Sequence, residues 1–111
     1  MTETTTLPTV ELAPDCGIGQ ELRCPRCGYT DLHHGQVTVF DRNEDAEMTA
    51  VTTVAAGFAK THLLPSSQVG NPSSRRHGLA ITFACDGCGD DLELTVAQHK
   101  GKTLFAWRSA P

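Results

Sequence analysis

Two short segments carry the residue types and spacing best suited to chemistry. Cys24-Pro25-Arg26-Cys27-Gly28 and Cys85-Asp86-Gly87-Cys88-Gly89 both read C-x-x-C-G, with 57 residues between Cys27 and Cys85. A C-x-x-C stretch can close a tight turn that aims two thiolates at one point. The glycine after the second cysteine permits the left-handed backbone such a turn needs, and lets backbone N–H groups face sulfur. Two such turns brought together make a tetrahedral four-sulfur site, whose geometry and softness suit Zn²⁺, or iron, rather than hard cations. Four protein ligands leave no open coordination position. The expected cofactor is therefore one structural zinc ion held by Cys24, Cys27, Cys85 and Cys88, with no zinc-activated water. Four thiolates around Zn²⁺ carry a formal charge of about −2, which Arg23 and Arg26 are placed to offset.

Other reactive side chains lack such a partner set. Cys16, the fifth cysteine, lies in Asp15-Cys16-Gly17-Ile18-Gly19 and reads as a free thiol. His33 and His34 follow the first motif and read as a solvated strand start. His77 lies in a Ser/Pro-rich loop and His99 in a turn. Nothing completes a nucleophile site around Ser73, Ser74 and His77. Arg75 and Arg76, with Lys100 and Lys102, are the candidate partner-binding residues. No acid occurs from Met48 to Cys85 or after Glu93, so a local basic patch can form if these stretches meet.

The elements that must position the cysteines are strands. Leu, Ile, Val and Phe number only 23 of 111 residues, so the core is thin and a metal is the expected staple. Gln36–Phe40 and Met48–Val54 are β-branched and flank the acidic stretch Asp41–Glu47, the pattern of a hairpin. Leu79–Ala84 and Leu92–Val96 alternate, and Thr103–Trp107 reads as a last strand after a turn at His99–Lys102 with positive φ at Gly101. Ala55–Leu64 is ambiguous and reads as a place for a short helical turn. Pro65–Gly78 is a loop by composition. The fold class is all-β.

Residues 1–20 have no sustained period. Residues 1–21 hold Glu3, Glu11, Asp15 and Glu21 without a base, so 1–20 is expected to be a flexible acidic tail on a domain at 21–111. The formal net charge is −4, and there is no strongly basic nucleic-acid footprint. The composition excludes a large enzyme. No apolar run reaches 18 residues, so no membrane partner is expected. The N-terminal residues do not read as a secretory signal, so a reducing, cytoplasmic location without disulfides is expected.

With its paired motifs and intervening strands, the chain resembles a zinc ribbon, in which two C-x-x-C knuckles sit at the tips of β-hairpins. The resemblance spans residues 22–107, but its motif is only the ten knuckle residues. The long intervening segment makes this an elaborated ribbon. The stretches 71–79 and 98–103 are also similar to those of short actinobacterial and phage proteins of no assigned function. The ribbon resemblance implies a small binding or regulatory protein acting on nucleic acid or on the transcription or translation machinery. A protein-interaction module of phage origin, without nucleic-acid contact, is the alternative. A His pair, Asn71 and two C-x-x-C motifs are also similar to zinc-stapled HNH nucleases. That resemblance needs a ββα unit where residues 92–107 read as two strands, so no enzyme is expected.

Overall fold

The structure, a computed structural model, describes residues 9–110. Its main feature is a six-stranded, wholly antiparallel sheet, as the β-rich sequence requires. The strands are β3 (Leu32–Asp41), β4 (Met48–Ala55), β5 (Phe58–Pro65), β6 (Gly78–Cys85), β7 (Gly89–His99) and β8 (Lys102–Ser109), in the order β5-β4-β3-β6-β7-β8. β1 (Leu12–Asp15) and β2 (Gln20–Leu22) form a separate two-stranded hairpin.

Local chemistry sets most connections. β3 and β4 pair from Val37↔Val54 to Asp41↔Ala50 across the acidic tip, as expected. β7 and β8 join through Lys100 (φ 50°) and Gly101 (φ 77°), a left-handed pair that matches the twist of a tight hairpin. β4 and β5 join the same way through Ala56 (φ 52°) and Gly57 (φ 83°). The helical turn expected within Ala55–Leu64 is therefore absent. The segment is a strand, and the short 3-10 turn comes later, at Ser66–Gln68. The single non-local pairing in this sheet is β3 with β6, from Leu32↔Cys85 to Phe40↔Gly78, with a bulge between His34 and Val37.

Directly paired residues share a face of the sheet, and neighbours along a strand alternate. Leu32, Phe83, Cys85, Leu92, Leu94 and Trp107 thus fall on one face. Leu92 (0% exposed), Trp107, Cys24 and Cys85 are the buried centre of the hydrophobic cluster there. Phe83 meets Trp107 edge to face, with centroids 5.8 Å apart. Phe40, Ala80, Thr95 and Ala97 are buried on the opposite face.

The tail expectation needs correction over its second half. Residues 12–22 form the β1–β2 hairpin, pairing Leu12↔Leu22 and Asp15↔Gln20 with a register shift between the two pairs. The Asp15 carboxylate accepts the Gly17 N–H at 2.7 Å and the Gly19 N–H at 3.3 Å, which shapes the turn. Val10 and Leu22 pack against the core cluster. So short a hairpin buries too few side chains to leave a readable period. The part of the expectation that concerns residues 1–8 lies outside the described residues.

Candidate metal centre

The β6–β7 hairpin presents the second motif. Cys85 ends β6 and Gly89 begins β7, so C-x-x-C is the turn itself, closed by the Cys88 N–H on the Cys85 carbonyl at 3.2 Å. The first motif lies between β2 and β3. There the Gly28 N–H bonds the Cys24 carbonyl at 2.9 Å, and the Cys24 N–H bonds the Tyr29 carbonyl at 2.7 Å. Gly28 (φ 78°) and Gly89 (φ 103°) take the left-handed conformation that ends each turn. The Leu32↔Cys85 pairing sets the start of β3 beside the end of β6 and so draws the two turns together.

The four sulfurs converge: the ligand atoms of Cys24, Cys27, Cys85 and Cys88 all lie within 4.8 Å of one another. Cys27 Sγ and Cys85 Sγ are 3.6 Å apart. An S–S bond would need about 2.0 Å, and all five cysteines are free. Zn–S bonds of about 2.3 Å at tetrahedral angles give sulfur–sulfur edges of about 3.8 Å. The donor set and spacing thus fit one four-coordinate metal ion.

Backbone dipoles prepare the cluster for charge. Burial pushes the Cys24 thiol up. Hydrogen bonds from the Cys27 and Arg26 N–H groups and from the Cys85 and Cys27 thiols outweigh it and bring Cys24 down to about 7. At Cys85 the Gly87 N–H favours the thiolate, but burial and the Cys27 and Cys24 sulfurs prevail and the thiol is raised. Cys88 is pushed up to about 12, first by its hydrogen bond with Cys27 and then by burial. Without a cation, thiols packed this closely resist joint ionisation. A bound dication reverses that balance.

Charged neighbours brace the site. Arg26 grips Asp91 through two hydrogen bonds, which raises the guanidinium and holds the Asp91 carboxyl below its usual range. Arg23 instead donates to the Gly28 carbonyl at 3.1 Å, clasping the first turn. His33 Nε2 lies 3.6 Å from Asp86 Oδ1, and His34 meets Phe83 edge-on. Cys16 is exposed, bonded to the Gly19 carbonyl, and is not in the cluster.

The candidate partner residues sit near the opposite end of β6 and β7. The Ser73 hydroxyl bonds the Gln98 carbonyl at 2.7 Å, and the Gln98 N–H bonds the His77 carbonyl at 3.1 Å. Arg75, Arg76, His99 and Lys100 consequently line one small cavity of about 160 Å³, together with Glu44 and Gln98. Lys102 pairs with His99 across the turn and is not among the lining residues. The acidic tip also reaches this rim, which the sequence reading missed. Arg75 bonds Asp45 (2.6 and 2.8 Å) and Glu44 (3.0 Å), and Arg76 bonds Glu44. Asn71 is used within its own loop, donating to the Arg76 carbonyl and accepting from the Ser73 N–H. His77 Nδ1 accepts the Arg42 N–H at 3.0 Å.

No helix among the described residues is long and apolar enough to cross a membrane. No family model, no curated protein and no solved structure matches the chain.

Proposed function

We propose that the protein is a zinc-stapled, ribbon-like binding module, not an enzyme, and that its partner is a protein. Cys24, Cys27, Cys85 and Cys88 hold one structural Zn²⁺, which locks the first turn to the β6–β7 hairpin. The choice of a protein over nucleic acid rests on one observation. Arg75 and Arg76, two of the candidate partner-binding residues, already pair with Asp45 and Glu44. A rim of this kind offers a phosphate backbone little net positive charge. It suits a polar protein surface, where interleaved charges set register and suppress wrong partners.

A second reading has its own support. Arg75, Arg76 and Lys100 converge on one cavity, so a nucleic-acid end that displaced Glu44 would find three bases there. Capture of partners from lysate by the zinc-loaded protein, with and without nuclease, separates the two readings. Nuclease-resistant capture of a protein supports the first. Recovery that nuclease abolishes and salt weakens steeply supports the second.

A further inference from the structure

We infer that the outer edge of β5 pairs with the β5 edge of a second copy of this chain, antiparallel and centred on Thr61. All eight residues of Phe58–Pro65 are exposed, with Phe58 at 73% and Leu63 at 66%. β5 pairs only with β4 among the described residues, in unbroken register from Ala55↔Phe58 to Met48↔Pro65. Its edge defences are few: no bulge, a proline only at its last residue, and a single charged side chain of the Lys, Arg, Asp and Glu types, Lys60.

Backbone and side chains select one symmetric register. The residues flanking a two-residue hairpin turn exchange both hydrogen bonds, so Phe58, Lys60, His62 and Leu64 turn their backbone groups toward β4. The N–H and C=O groups of Ala59, Thr61 and Leu63 therefore face outward. Centring two copies on Thr61 sets Thr61 against Thr61 and Ala59 against Leu63, and uses all of those groups. The same register places Phe58 beside Leu64 of the second copy, an aromatic–aliphatic cross-strand pair, and Lys60 beside its His62. A shift to centre on Lys60 would oppose two ammonium groups. The other sheet edge, β8, is less suited, because its central antiparallel register opposes Lys102 and Arg108.

Sedimentation equilibrium of the zinc-loaded chain is expected to give twice the chain mass. Thr61→Pro removes an outward N–H, which a sheet edge tolerates, and one exposed hydroxyl bond to Thr52, so it should halve that mass while zinc content and Trp107 fluorescence stay unchanged. Should that variant fold poorly, Thr61→Cys in a Cys16→Ser background keeps the test open. Its two new thiols would sit at a pair with Cα atoms about 5.5 Å apart, within disulfide range, and mild oxidation should link the copies. Lys60→Cys in the same background should not link them. A monomer at every concentration, or a dimer indifferent to Thr61→Pro, overturns the proposal. So does a Thr61→Cys protein that does not cross-link.

Discussion

Arg26 and Asp91 form a two-pronged ion pair, at 2.5 and 3.0 Å, that ties the first cysteine turn to β7 just beyond the second. Sixty-five positions separate the two residues in sequence, so the pair exists only once the turns have met. Arg26 also lies in the field of the Cys24 and Cys88 sulfurs. Such outer-shell partners orient a metal's ligands and tune its charge. Arg26→Gln is expected to weaken zinc binding by about tenfold in a chelator competition, and Asp91→Asn by less, because it leaves the cation in place. Equal affinity in both variants and the parent would make the pair incidental to the site. The pH dependence has a definite sign. A carboxyl lowered in the native state contributes stability above its unfolded pKa of about 3.9 and loses it as pH falls through the native value.

Metal binding is expected to release protons. At about pH 8 Cys24 is already mostly ionised, whereas Cys85 and Cys88 hold their protons. Titrating zinc into the reduced, metal-free protein in buffers of different ionisation enthalpy should report at least two protons released per ion. Affinity should fall as pH falls, because protons compete for the same sulfurs. Release of less than one proton would mean that the thiols are not the ligands.

The apolar cluster beside the cysteines should be the most sensitive part of the molecule. Leu92 is fully buried, and Leu92→Ala is expected to cost about 2–5 kcal/mol in denaturant unfolding. Ile18, at 99% exposure on the β1–β2 turn, should tolerate alanine within about 0.5 kcal/mol. The indole N–H of Trp107 is buried with no hydrogen-bond partner among the described residues. Trp107→Phe should therefore cost less than the roughly 3–5 kcal/mol expected of Trp107→Ala, since it keeps a ring and removes the orphan donor.

Arg75→Ala and Asp45→Asn should have small effects that do not fully add, because both remove the exposed Arg75–Asp45 pair, Arg75→Ala losing the Glu44 contact besides. The coupling in a double-mutant cycle should shrink at high salt. Additive effects would show that the arginine acts through another contact.

The candidate site was readable because its signal is local and chemical: two C-x-x-C-G motifs need only be recognised and paired. The N–H groups aimed at Cys24 and Cys85 follow from the same turns. The β3–β4, β6–β7 and β7–β8 hairpins were readable from alternating strands and turn residues. β5 was not, for two reasons. Both of its faces are exposed, so no alternation was imposed on Phe58–Pro65, and its turn places alanine, not asparagine, at the first left-handed position. Charge order along the chain also misled. The acid-free stretch that holds Arg75 and Arg76 folds against the acidic tip, so opposite charges far apart in sequence become neighbours. Only the β3–β6 pairing reveals this, and no short window of sequence contains it.

The staple should be worth several kcal/mol, the order expected when a metal joins two distant turns around a thin core. Complete metal removal under reducing conditions should lower the melting temperature and loosen the surroundings of Trp107, read by its fluorescence. An unchanged melting curve would show that the apolar cluster holds the turns together unaided.

Native mass spectrometry of the freshly purified, reduced protein tests the central claim most directly. One zinc ion per chain is expected, held through Cys24, Cys27, Cys85 and Cys88, retained in Cys16→Ser and lost in Cys85→Ser. Two ions per chain, no metal at all, or full retention in Cys85→Ser would contradict the account.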